Sequence, residues 1–227
     1  HEDVKFLTQD WGGELLKVIE DDSIGIVGIS GAVYKSAYPS TWSMIPNEYY
    51  RVNALQLKKD GSRNHHNNLD NKNSDYSKVA VLDGVFLSMR KAVFSEYNFD
   101  EQNIDGFHFY DLDISLRIGS ECTLAVVHNV LLEHFSEGTI SQDWIRDSIK
   151  QHNRLSNSLP KAVTNLSKNE IKYIDHYALS SFLFSMMKHK LFNFLMIKYL
   201  LIIWFHYPFQ KRSVDLVKFG IKQLFRK

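Results

Sequence analysis

The sequence predicts an α/β chain: a mixed sheet flanked by helices, followed by a helical C-terminal extension. Two observations predict it. Short apolar runs alternate with stretches of helical period through residues 1–140, and residues 141–227 carry almost purely helical patterning. With 227 residues, 44% of them hydrophobic, the chain can bury one sizeable core, as one domain or one domain plus an appendage. Lys and Arg number 27 against 26 Asp and Glu, so no overall field favours nucleic acid as a partner. The single cysteine, Cys122, excludes an internal disulfide and fits a reducing, cytoplasmic compartment.

The opening reads strand, helix, strand. "HEDVKF" is strand-like, Leu15, Leu16, Val18 and Ile19 recur at helical spacing, and "DSIGIVGIS" reads as a buried strand of a mostly parallel sheet. The polar stretch from Lys58 to Ser77 predicts a surface loop or disordered flap. "KVAVLDGVFLSMRKAVF" predicts a strand to about Met89, interrupted at Asp83 and Gly84, then a short helix from near Arg90. A helix with Leu112, Leu116 and Ile118 facing inward follows, and "CTLAVVHNVLLEHF" predicts one or two more strands. Ser141 caps a helix that ends before Pro160. The box-like "SKNE" at Ser167 opens a second helical region that runs to Pro208.

Four groups of acids and histidines stand at predicted strand ends or helix starts: His1, Glu2 and Asp3; Asp83 and Gly84; Tyr110, Asp111 and Asp113; and Glu133 and His134. In an open α/β sheet that is where ligands bind. The stretch "VLDGVFLSMRKAVFSEYNFDEQNIDGFHFYDLDISLRI", followed by "LEHFSEGT", resembles GT-A-fold glycosyltransferases related to family 2, in the bacterial glycosyltransferase-like group. The opening "HEDV" resembles that group's variant of the D-x-D motif. The resemblance covers residues 1–140 and implies the C-terminal portion of a GT-A fold, with its nucleotide-binding half upstream of His1.

The resemblance implies transfer of a sugar from a nucleotide-diphosphate donor to a glycan or lipid-linked glycan hydroxyl, metal-assisted and inverting. Asp3 would bind the divalent cation that neutralises the leaving diphosphate, with His1 and His134 as further ligands. Oxygen ligands suit Mg²⁺ or Mn²⁺, and imidazole favours Mn²⁺. Asp111 would be the base that takes the acceptor proton, held ionised by the helix N-terminus; its other reading is a helix cap. Asp83 and Gly84 would contact sugar hydroxyls, or else form a bulged turn. His108 and Tyr110, with Phe107 and Phe109, would make an aromatic rim for a sugar face, or part of the core. Asp113 lies four residues before Arg117, the spacing of an ion pair that supports the site from behind. A metal-dependent hydrolase and a non-catalytic sugar-binding module remain as alternatives.

The C-terminal end is cationic. Residues 188–227 hold nine bases (188, 190, 198, 211, 212, 218, 222, 226 and 227) against one acid, Asp215. The apolar run from Tyr199 to Phe205 is too short to span a bilayer. Beyond Pro208, Val214, Leu216, Val217, Phe219, Ile221, Leu224 and Phe225 fall among Lys and Arg, a pattern for an amphipathic helix at the inner face of the membrane, or for a hairpin packed on the catalytic part or on a homodimer partner.

Overall fold

The computed structural model describes residues 2–70, 73–136, 138–191 and 194–224 and has the mixed α/β architecture that the sequence predicts. The chain opens with β1 (Val4–Phe6), α1 (Trp11–Ile19) and β2 (Ile24–Gly28), the expected strand, helix and strand. Asp10 caps α1 by accepting from the Gly13 N–H, and Leu15, Val18 and Ile19 form its buried stripe. β2 is buried along its whole length, as its unbroken apolar run requires. It pairs in parallel with β10 (Thr123–Val127) and antiparallel with β9 (Leu87–Ser88). β7 (Tyr76–Val79) on the outer edge of β10 completes a four-stranded sheet.

The second sheet is organised by β5 (Tyr50–Leu57). One edge of β5 pairs along its length with β6 (Arg63–Asn68), from Val52 opposite Asn68 to Leu57 opposite Arg63. The other edge is divided. Its first residues pair antiparallel with β3 (Ser30–Ala32), and its last pair in parallel with β11 (Leu132–His134). A strand has only two edges, so β3 and β11 must part company along β5 and leave a fork. Asn53 sits at that fork, where its side-chain amide donates to the carbonyls of His128 at 2.8 Å and Val130 at 3.2 Å. β1 extends the sheet beyond β11, and β8 (Val81–Leu82) extends it beyond β3.

Two expectations are corrected here. Among the described strands only β2 with β10 and β5 with β11 run parallel, so the sheets are mixed rather than mostly parallel. The stretch taken as a flap contains β6, joined to β5 through a turn at Gly61, whose φ of 80° favours glycine. β6 is polar on both faces, so no alternation marks it as a strand.

α2 (Lys91–Tyr97) and α3 (Tyr110–Ile118) follow the interruption at Asp83, and α3 buries Leu112, Leu116 and Ile118 as expected. α4 (Gln142–Arg154) starts at the Ser141 cap, whose hydroxyl accepts from the Trp144 N–H at 3.0 Å. α5 (Lys168–Lys188) opens with the full capping box of Ser167 and Glu170. The single helical region expected as far as Pro208 is interrupted: α5 ends near Lys190, whose φ is 56°, and α6 (Phe194–His206) then begins. α7 (Lys211–Leu224) closes the chain. The small strands β4 (Tyr34–Lys35) and β12 (Lys161–Ala162) pair antiparallel and tie the sheet region to the segment between α4 and α5.

The core runs across residue 140 without a break. Ala32, Tyr34, Phe109 and Leu112 pack in one apolar cluster with Trp144, Ile145, Phe182 and Leu183. Polar contacts reinforce the junction: the hydroxyls of Tyr34 and Ser36 both donate to Asp175 Oδ1 on α5, at 3.0 and 2.7 Å. Lys35 is fully buried and donates to Ser40 Oγ at 2.6 Å, to the Ser36 carbonyl at 3.2 Å and towards His152 Nε2 at 2.7 Å. Burial drives its pKa down to about 7.

Candidate functional site

The fork in β5 opens into a pocket of about 210 Å³. Its floor is one face of β5, carried by Tyr50, Val52, Ala54 and Gln56 at the period of two that a strand dictates. His66 joins them from β6, directly opposite Ala54. Ile29 and Ser30 close one side, Trp42 and Ser43 another, and Asp83 and His134 stand in its wall. Two of the sequence-predicted groups, from strands far apart in the chain, therefore share one cavity.

At the His134 end, the antiparallel pairing of β1 with β11 sets Val4 opposite His134, and the Phe135 N–H donates to the Asp3 carbonyl at 2.9 Å. This brings Asp3 Oδ2 to 3.5 Å from His134 Nε2. His134 Nδ1 lies 3.0 Å from Gln56 Oε1, while Gln56 Nε2 donates to the Ser136 and Leu57 carbonyls at 2.8 and 3.0 Å. With its nitrogen committed to carbonyls, the Gln56 oxygen must be the acceptor, so Nδ1 of His134 carries the proton. The lone pair on Nε2 then points towards Asp3 and the Ser136 hydroxyl, which is 3.3 Å away. The Ser136 hydroxyl, above all, holds the Asp3 carboxyl below its usual range, and burial pushes the His134 imidazole down. At neutral pH the pair is thus carboxylate and neutral imidazole, the protonation states that a divalent cation needs. Among the described residues no group of three or more His, Cys, Asp or Glu is set to hold a metal. His1, the other predicted ligand, lies outside the described residues.

The other end of the site is built around the peptide at Gly84. Asp83 directly follows β8 and accepts from the Val85 N–H at 3.4 Å, and its carboxyl also bonds the Trp42 side chain. From α3, Asp111 Oδ2 accepts from the Gly84 N–H at 3.1 Å, and the Tyr110 hydroxyl donates to the Gly84 carbonyl at 3.1 Å. The start of α3 therefore clamps Gly84 from both sides, through the N–H of one peptide and the carbonyl of the next. A Cβ on Gly84 would fall 2.2 Å from the Tyr110 hydroxyl, so the close approach that this glycine permits is that of Tyr110.

Burial and the neighbouring Asp111 push the Asp83 carboxyl up to about 7. The Asp111 carboxyl is also raised by burial, although it accepts N–H bonds from Gly84 and, at 2.8 Å, from Leu112. Burial thus outweighs the helix N-terminus expected to hold Asp111 low. The two carboxyls form a coupled pair across Gly84, with Tyr110, pushed up to about 12, a neutral phenol beside them.

The four aromatic residues divide between surface and core. Phe107 is exposed and stands 6.1 Å from Tyr110 between ring centroids, with His108 beside it at 5.9 Å. Phe109 instead turns inward at a φ of 70°, 5.4 Å from Trp144, and belongs to the core. Asp113 is completely buried between two guanidiniums. Arg117 Nε donates to its Oδ2 at 2.8 Å, across one turn of α3, and Arg154 of α4 donates to Oδ1 at 2.6 Å. Arg117 also donates to the carbonyls of Tyr97 and Asn98, so this cluster fixes α3 against the loop before it.

The model of the glycosyltransferase-like family matches residues 1–157 of the chain. The chain belongs to that family. No curated protein matches the chain. Membership makes this glycosyltransferase-like chain a transferase that draws on a nucleotide-sugar donor and an acceptor. The matched region includes every predicted site residue and ends within the short 3₁₀ turn Ser156–Ser158 after α4. Sequence reasoning missed Gln56, His66 and Tyr50 as pocket residues and assigned no role to Trp42. The alternation of Tyr50, Val52, Ala54 and Gln56 was the signal that could have found the floor. Nothing local marks His66.

Proposed function

We propose that this glycosyltransferase-like chain moves a sugar from a nucleoside-diphosphate donor to a glycan hydroxyl with inversion at the anomeric carbon. The observation that carries this reading is that His134 and Asp83 wall the same pocket, with Asp3 behind the first and Asp111 behind the second. One end suits an anionic leaving group and its counter-cation, and the other suits a hydroxyl that must lose a proton.

Asp3 and His134 are the residues that would hold the cation, Mn²⁺ or Mg²⁺, and the donor set fits: an ionised carboxylate and an imidazole whose Nε2 lone pair faces it at 3.5 Å. A bound cation would stabilise the negative charge that develops on the diphosphate as it leaves. Asp111 takes the acceptor proton as the hydroxyl oxygen bonds to the anomeric carbon and the electron pair of the breaking bond departs with the diphosphate. Its carboxylate is aimed by the Gly84 and Leu112 N–H groups. Asp83, with a pKa near 7, retains a proton over part of the working range and relieves the repulsion between the two carboxyls. Phe107, His108 and Tyr110 offer faces on which a sugar ring can stack.

The test combines two measurements. Release of nucleoside diphosphate is followed over a panel of UDP-, GDP- and TDP-linked hexoses, with and without oligosaccharide acceptors. Asp111→Asn should lower acceptor-dependent release by about 10² to 10⁴ while leaving donor binding in place. Calorimetric titration with Mn²⁺ should show binding that Asp3→Ala and His134→Ala each weaken. Transfer at the parent rate by Asp111→Asn would remove the base assignment. Hydrolysis of donor with no dependence on acceptor would replace the transferase reading with a hydrolase.

A further inference from the structure

We infer that the outer face of α6 lies on the surface of an anionic lipid bilayer. α6 is apolar almost all round, and only one side of it is used in packing. Met196, Tyr199, Leu200 and Ile203 are buried against the neighbouring helices. On the opposite side Phe194, Ile197, Leu201, Trp204 and Phe205 form one exposed stripe at helical spacing, with Phe194 79% and Phe205 72% exposed. Phe209, in the turn before α7, is 97% exposed and continues it. A stripe of this size on a water-facing helix requires a covering partner.

The helix that the sequence favoured, α7, is held against its neighbours. Part of the apolar side of α7 is occupied inside the molecule: Ser213, Leu216 and Gly220 are buried, and a Cβ on Gly220 would lie 2.7 Å from Leu200 Cδ1 of α6 and 3.1 Å from Met187 Cε of α5. The His176 ring of α5 meets Ser213 at 2.9 Å, and Arg212 stacks 4.8 Å above the Tyr177 ring. α7 is thus docked along part of its apolar side, and it turns outward Lys211, Lys218 and Lys222 together with Phe219 and Ile221.

Charge decides between the occupants. Lys188, Lys190 and Lys198 are exposed on or next to α6 itself, and residues 188–227 hold nine bases against one acid. A second copy of this chain would bring that excess against itself, whereas anionic headgroups complement it. At about 1.5 Å per residue, the 13 residues of α6 extend about 20 Å, short of the roughly 30 Å bilayer core. No helix among the described residues is long and apolar enough to cross a membrane. The helix therefore lies in the interface, with Trp204 and the phenylalanines at headgroup depth and the lysines reaching phosphate.

The experiment is sedimentation of the full chain with vesicles of phosphatidylglycerol and phosphatidylcholine, and with phosphatidylcholine alone, and it needs no transfer activity. The chain should partition onto the anionic vesicles and leave them as salt is raised. Leu201→Ser with Phe205→Ser, both exposed positions, should lower partitioning by about tenfold or more with an unchanged circular dichroism spectrum. Lys218→Glu with Lys222→Glu should lower it on anionic vesicles only. Failure to bind anionic vesicles, or binding that the apolar pair leaves unchanged, would overturn the inference. So would a self-associated chain that the same apolar pair dissociates, because a second copy would then be the cover.

Discussion

Asp83→Asn should make the protein more stable, and only where the wild-type carboxyl is ionised. The Asp83 carboxyl moves from an ordinary value of 3.8 to about 7 on folding, because burial and the neighbouring Asp111 both oppose its charge. A carboxyl with a raised folded pKa binds its proton more tightly in the folded state, so there is no penalty below 3.8 and a full one above about 7. At about 1.36 kcal/mol per pKa unit, the change from 3.8 to about 7 sets a ceiling of about 4 kcal/mol. Water reaching the carboxyl through the pocket mouth screens part of this, and an effect of about 2 kcal/mol is the working expectation. Asparagine keeps the shape and the acceptor for the Val85 N–H. For a chain of this size the gain corresponds to a melting point about 4 to 8 °C higher at pH 8, shrinking to about a quarter of that at pH 4.5. Thermal denaturation of both proteins from pH 4.5 to 8 measures it. An Asn variant no more stable than the wild type at pH 8, or a difference that does not change with pH, would refute the account of the carboxyl pair.

Two further outcomes follow from the packing around α3. Gly84→Ala should lower stability by about 1 to 3 kcal/mol, since its Cβ would meet the Tyr110 ring, with Cζ at 2.6 Å as well as the hydroxyl. Tyr110→Leu should recover part of that loss in the double variant, and strictly additive effects in urea denaturation would show that the clash is not the cause. Asp113→Ala leaves the Arg117 and Arg154 guanidiniums facing one another without their shared buried carboxylate, and should cost about 3 to 5 kcal/mol, read as a lower urea midpoint; a loss below about 1 kcal/mol would mean that Asp100 takes over the pairing of Arg154.

What was legible in the sequence was whatever a local rule encodes. The continuous apolar run of β2, the inward stripe of α3 and the caps at Ser141 and Ser167 each follow from a period or a side chain satisfying a nearby N–H, and each is present. Where local rules were silent, the reading went astray. β6 is held by its ladder to β5 and by Arg63 pairing with Glu133, not by any apolar face, so its residues carry the composition of a loop. The break between α5 and α6 falls at Lys190, in an apolar stretch whose periodicity gives no reason to stop. α7 has a genuine amphipathic pattern, but a pattern cannot say whether the apolar side meets lipid or protein. That choice is made by Gly220, which lets α7 close on Leu200 and leaves the α6 stripe outside.

The site divides in the same way. The motif resemblance brought Asp83, Gly84 and Tyr110 to notice as contacts to a sugar and Asp111 as a base, and the structure makes three of the four parts of one clamp. Tyr110 and Asp111 are adjacent at the start of α3, and they can hold the carbonyl and the N–H of Gly84 only because that residue lacks a side chain. The glycine, the phenol and the carboxylate therefore depend on one another through geometry before any substrate arrives. Asp83, one residue before the clamp, is raised first by its own burial and then by Asp111, which must approach Gly84 to be aimed. The alternation along β5 could have pointed to the pocket's floor, but the opening above it was invisible for a different reason. It arises where β3 and β11 diverge from one edge of β5, a property of three strands together, and no window of the sequence contains all three.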